Sequence, residues 1–147
     1  WFATKRKPPV VAAALATGSA WALAKVVKEQ VGRGRPADFF AEIDVRESGV
    51  NGLGFVSGHA AVAFAAATVI AVYVPRRWIP VPFVLAGLTG LSRIYYGAHL
   101  PLDVVGGAGL GIACGALALL VTGEPRTSTD VDPTDATSST EATSRET

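Results

Sequence analysis

The 147 residues include no methionine, one cysteine and two histidines. Each scarcity excludes something. A chain with no methionine that opens at Trp1 is expected to be a piece of a longer protein. A single thiol, Cys114, rules out an intrachain disulfide. Charged residues make up 17% of the chain, against about 25% in an ordinary soluble domain. Outside the last two dozen residues the acids are few: Glu29, Asp38, Glu42, Asp44, Glu47 and Asp103. With two histidines they form no cluster that resembles a metal site, so the chemistry is expected to need neither metal nor cofactor. The bases are scattered among apolar runs rather than gathered on one stripe, which argues against nucleic acid as a partner.

What remains is apolar. Four runs stand out, at residues 9–27, 60–74, 79–91 and 104–122. A helix that crosses a bilayer needs about 20 mostly apolar residues. The last run has that length outright. The second reaches it if Ser57, Gly58 and His59 form its first turn, and the third if it continues to Tyr96. The first ends near Lys25, which can snorkel to the headgroups. Buried helices of a soluble protein are the alternative, but four such runs in so short a chain leave too little polar surface. The expected fold is therefore all-α: an integral membrane helical bundle with about four transmembrane helices visible. Residues 1–123 form the membrane-embedded core. Residues 124–147 carry six acidic and two basic residues among Ser and Thr, and read as a disordered acidic tail.

Smaller features have two readings each. Gly107, Gly111 and Gly115 recur every fourth residue. They either let a neighbouring backbone approach closely or are ordinary small-residue filler. Between the first two runs, residues 37–54 form a loop or interfacial segment. There Phe39, Phe40 and Ile43 either dip toward the headgroups or pack the loop down.

Three polar fragments interrupt the runs. Lys28 precedes Arg35-Pro36 by seven residues; Ser57-Gly58-His59 opens the second run; Ser92-Arg93, His99 and Asp103 bridge the third and fourth. Four fixed residues at the last spacing would arise by chance about once in a thousand chains of this size, at a background of about a twentieth per residue type. If all four runs span, the three fragments fall on one side of the bilayer. Lys5-Arg6-Lys7 and Arg76-Arg77 fall on the other. Short basic loops favour the cytoplasm. The polar fragments are thus expected on the extracytoplasmic face of a plasma or inner membrane, and the tail in the cytoplasm.

Alone, each fragment has a plain explanation. Lys28 and Arg35 could anchor at the interface, Ser57 could simply cap a helix, and His99 and Asp103 could be a helix surface pair. Together they resemble the type 2 phosphatidic acid phosphatase superfamily, whose pattern is K-x6-R-P, P-S-G-H and S-R-x5-H-x3-D. The match runs from Lys28 to Asp103 and departs once, at Val56, where the family usually has proline. The membrane-bound branch of that family often has six spanning helices, so helix packing against preceding segments or another protomer is expected.

The resemblance implies roles. His99 would attack phosphorus and carry it as a phosphohistidine, with Asp103 orienting the ring. His59 would protonate the leaving alkoxide and then activate water. Lys28, Arg35 and Arg93 would neutralise the phosphoryl oxygens, helped by backbone N–H groups of Ser57, Gly58 and His59 at a helix start. The chemistry is consistent with this. A phosphate monoester carries a charge of about −1.5 to −2 and repels anionic nucleophiles, whereas a neutral imidazole is not repelled. Pro101 fits as the first residue of the helix that carries Asp103. Arg93, late in an apolar run, is by default functional. The resulting expectation is a metal-independent membrane phosphatase acting on a lipid phosphate or diphosphate: phosphatidate, phosphatidylglycerophosphate or a polyprenyl diphosphate. A vanadate-dependent haloperoxidase and a non-catalytic membrane protein that retains the motif are the alternatives.

Overall fold

The computed structural model describes residues 9–40, 42, 45–46 and 52–123. The expectations for Ile43, for Lys5-Arg6-Lys7 and for the acidic tail fall outside them. Among the described residues the fold is all-helical, without a strand. The elements are α1 (Pro9–Val31), a short α2 (Pro36–Phe39), α3 (Gly58–Tyr73), a 3-10 turn (Arg76–Trp78), α4 (Pro80–Tyr95) and α5 (Pro101–Thr122).

Helix boundaries follow local chemistry. Gly32 ends α1 with a φ of 63° and donates its N–H to the Lys28 carbonyl at 2.9 Å. This is a left-handed C-terminal cap that few other residues would adopt. Ser57 is the N-cap of α3. Pro80 and Pro101 open α4 and α5, where a missing N–H costs nothing. Hydroxyls inside the helices bond back to their own backbones: Thr17 to Ala13, Thr68 to Phe64, Thr122 to Ala118. No polar side chain at these positions needs water.

The core is made of small residues. Ala12, Ala16, Ala20 and Ala24 are buried at every fourth position along α1. On α5, the glycine face packs on α3. A side chain at Gly107 would strike the Ser57 carbonyl, one at Gly111 the Ala61 carbonyl, and one at Gly115 the Thr68 side chain. The close-approach reading of those glycines is therefore the one this structure adopts. α1, α3 and α5 pack mutually, and α4 lies on α3. At one end α4 also meets α5, where Gly90 leaves room for Val104.

The outer surface is apolar too. Val84, Leu85, Leu88 and Leu91 on α4, and Leu117, Leu120 and Val121 on α5, are each more than half exposed. A helix apolar on all sides needs hydrocarbon or other helices around it. α1, continued to Phe39, and α5 are long and apolar enough to cross a membrane. α3 and α4, at 16 residues each, rise about 24 Å against a hydrocarbon core of about 30 Å.

Candidate active site

His99 sits in the loop between α4 and α5, and its position is set by a tight turn. Gly97 has a φ of 71° and donates to the Ile94 carbonyl at 2.9 Å. The Arg93 carbonyl then accepts N–H groups from both Ala98 (3.1 Å) and His99 (3.2 Å). The five-residue interval between Arg93 and His99 is thus the length of one turn that folds the ring back beside its arginine. Ser92, the first residue of this fragment, bonds its own helix at the Thr89 carbonyl, 2.7 Å away.

Asp103 follows in the first turn of α5. Its side chain has no exposure, and that of His99 has 4%. Asp103 Oδ2 accepts the Leu100 N–H at 2.8 Å and lies 3.4 Å from His99 Nδ1. That gap exceeds a good hydrogen bond, about 2.7–3.2 Å, as catalytic pairs often do before substrate arrives. With Nδ1 turned to the carboxylate, Nε2 is the ring nitrogen that faces away from it. The second carboxylate oxygen, Oδ1, pairs with Nη2 of Arg33. Arg33 was not singled out by sequence reasoning, and no spacing links it to Asp103.

Three cations surround the imidazole. Burial, and then the charges of Lys28, Arg35 and Arg93, push the His99 pKa from its usual 6.5 down to about 3, with a hydrogen bond to the Gly54 backbone acting the other way. The heads of Lys28 and Arg35 are held by backbone carbonyls. Lys28 Nζ donates to Leu53 at 3.1 Å, Arg35 Nε to Gly52 at 3.0 Å and Arg35 Nη1 to Ala98 at 3.0 Å. Further along, Gly54 donates its N–H to the Arg33 carbonyl at 2.7 Å. Segments 33–35 and 52–54 are thus joined by a main-chain bond and a side-chain clasp. The result is a neutral nucleophile beside concentrated positive charge, which suits a phosphoryl group.

The α3 terminus reaches the same end of the bundle. Ser57 donates its N–H to the Asp103 carbonyl at 2.9 Å, and its side chain is fully buried against the Ala60 N–H. This corrects one expectation: the Ser57 amide holds α3 to α5 and is not available to an anion. Gly58 has open space where a side chain would stand. His59 lies exposed in the first turn of α3, two residues from that joint. Val56, in the place of the family proline, is buried at 3% exposure, joined to Phe55 by a cis peptide bond and packed toward Gly106.

A family model described as the PAP2 superfamily matches residues 9–126 of this chain. The chain belongs to the PAP2 superfamily. Its PAP2 relatives include the decaprenylphosphoryl-5-phosphoribose phosphatase of Mycobacterium tuberculosis. That protein is 37% identical over 98 residues, which is 67% of this chain and 52% of the relative. The chain thus spans about half the length of that curated relative. Among solved structures, that of Aquifex aeolicus LpxE superposes with a TM-score of 0.71 at 33% identity, covering 76% of this chain and 67% of that one. The first transmembrane PAP2-type phosphatidylglycerolphosphate phosphatase from Bacillus subtilis gives 0.56 at 30% identity, covering 74% and 56%. This PAP2 chain is a membrane protein of the same helical architecture.

Proposed function

We propose that this chain is the catalytic part of a membrane phosphatase that hydrolyses a lipid phosphate or diphosphate. The observation that carries the reading is the buried, neutral His99 ring, with one nitrogen turned to Asp103 and three cations around it. His99 Nε2 attacks phosphorus, the bond to the lipid oxygen breaks, and His59 supplies the proton that the leaving alkoxide needs. Water, activated by His59, then displaces the phosphoryl group from His99 and releases inorganic phosphate. Lys28, Arg35 and Arg93 neutralise the oxygens throughout. The PAP2 relatives named above support the substrate class, because two of them are named for phosphatase action on lipid-linked phosphates with different headgroups. The test is phosphate release by the full-length protein from a panel of phosphatidate, phosphatidylglycerophosphate and polyprenyl phosphates and diphosphates. Release from at least one is expected, undiminished by EDTA. Activity lost on chelation and restored by a divalent ion would overturn the metal-independent mechanism.

The active face is extracytoplasmic and the tail cytoplasmic. This sidedness rests on the parity of the apolar runs and on the basic loops Lys5-Arg6-Lys7 and Arg76-Arg77. A cysteine introduced into residues 37–54, with Cys114 replaced, should react with an impermeant thiol reagent in intact cells. One in residues 124–147 should not. The opposite labelling pattern would move the site to the cytoplasmic leaflet and its substrate pool.

A further inference from the structure

Asp103 has two carboxylate oxygens and each faces a different partner. Oδ2 is turned to the Leu100 N–H and to His99 Nδ1, and Oδ1 to Nη2 of Arg33. The Arg33 side chain is one-quarter exposed, and its head lies over the Phe55 ring, 5.2 Å from the centroid. Its backbone is tied as well, since its carbonyl accepts the Gly54 N–H. The guanidinium is therefore fixed by a ring, a carboxylate and the chain itself. It is also placed apart from the other cations: Lys28, Arg35 and Arg93 bear on the imidazole, whereas Arg33 bears on the carboxylate behind it.

We propose that Arg33 is a positioning residue that acts through Asp103 and not on the phosphate, keeping the carboxylate ionised and turned so that Oδ2 faces the His99 ring. The proposal rests on the phosphohistidine reading above. Its physical basis is the placement of one proton. A carboxyl group with no exposure loses its charge unless a cation compensates it. A protonated Asp103 would present an O–H where His99 Nδ1 needs an acceptor. The neutral ring would then carry its hydrogen on Nε2, and the lone pair required for attack would be on the wrong side. With Arg33 on Oδ1, the carboxylate stays anionic, Nδ1 keeps the hydrogen, and Nε2 is free to attack.

A double-mutant cycle in the full-length protein tests this, read by single-turnover phosphoenzyme formation and by competitive inhibition by inorganic phosphate. Arg33→Gln should slow phosphoenzyme formation by a factor similar to that of Asp103→Asn. Competitive inhibition by inorganic phosphate should stay within about twofold of the unaltered enzyme, since ground-state phosphate meets the cations without a bond to Nε2. The double variant should be no slower than Asp103→Asn, because both changes remove one shared interaction. Arg33→Lys should recover part of the rate, since it restores charge without the planar fork. Should Arg33→Gln not fold, the double variant leaves no buried charge unpaired and can be compared with Asp103→Asn directly. Equal rates for that pair support the proposal. A further fall of about tenfold or more overturns it, as expected of independent contributions. A loss of inorganic phosphate affinity of about tenfold, or 1.4 kcal/mol, also overturns it and makes Arg33 a phosphate ligand. So does a normal rate in Arg33→Gln. Failure of the parent reading looks different: a phosphoenzyme would still form in His99→Ala.

Discussion

Replacing His99 with alanine should end turnover and leave no phosphohistidine to trap. In the proposed mechanism the ring supplies the nitrogen of the new P–N bond, so the loss should exceed the roughly 10²–10⁴ that removal of acid–base help alone costs. Asp103→Asn should hurt less, because Asp103 touches only the far nitrogen, at 3.4 Å. The environment of His99 adds a pH signature. Burial and three cations hold the free enzyme's imidazole at a pKa of about 3, so the nucleophile is already unprotonated well below neutral pH. The acid limb of kcat/KM should then follow the second ionisation of the substrate phosphate, near pH 6, and should shift when the substrate's own pKa is changed. Rapid-quench detection of the phosphoenzyme and a pH profile on two substrates check both statements. Near-normal activity in His99→Ala would sink the mechanism.

His59→Ala should lose about 10²–10⁴ in rate on a natural lipid but much less on a substrate with a good leaving group. His59 stands in the first turn of α3, on a different element from His99, and is exposed where His99 is buried. Exposure suits a group that must exchange protons with solvent and handle water. An activated leaving group departs without protonation, so the phosphorylation step should recover. His99→Ala should be equally inactive on both substrates. The phosphoenzyme of His59→Ala should also persist, because water goes unactivated. Equal losses on good and poor leaving groups, with no lingering phosphoenzyme, would reduce His59 to a helix-end residue.

Features that depend on near neighbours in the chain were legible in the sequence. The one-turn interval from His99 to Asp103, the helix opened by Pro101 and the cap at Ser57 each follow from local geometry. The glycine repeat of α5 was ambiguous until α3 was seen against it, since a pattern of small residues does not name its partner. Arg33 was missed for a similar reason. Its pairing with Asp103 is made by the packing of the residues after α1 against the start of α5, and the adjacent Arg35 fits the family pattern instead. The Ser57 amide was assigned to an anion because a helix start usually exposes its donors. The approach of α5 supplied a carbonyl there. The middle helices follow the expected extensions of their runs, α3 starting at Gly58 and α4 continuing to Tyr95, and stop where Val74-Pro75 and the Gly97 turn interrupt them.

Main-chain oxygens of Leu53, Gly52 and Ala98 clasp the heads of Lys28 and Arg35. A carbonyl is present whatever residue supplies it. What the site asks of these residues is the path of the backbone: Gly52 has a φ of 85°, a side chain at Gly54 would strike the Gly34 carbonyl, and Ala98 is fully buried. A change in that path would move the charge around the imidazole without altering any charged residue.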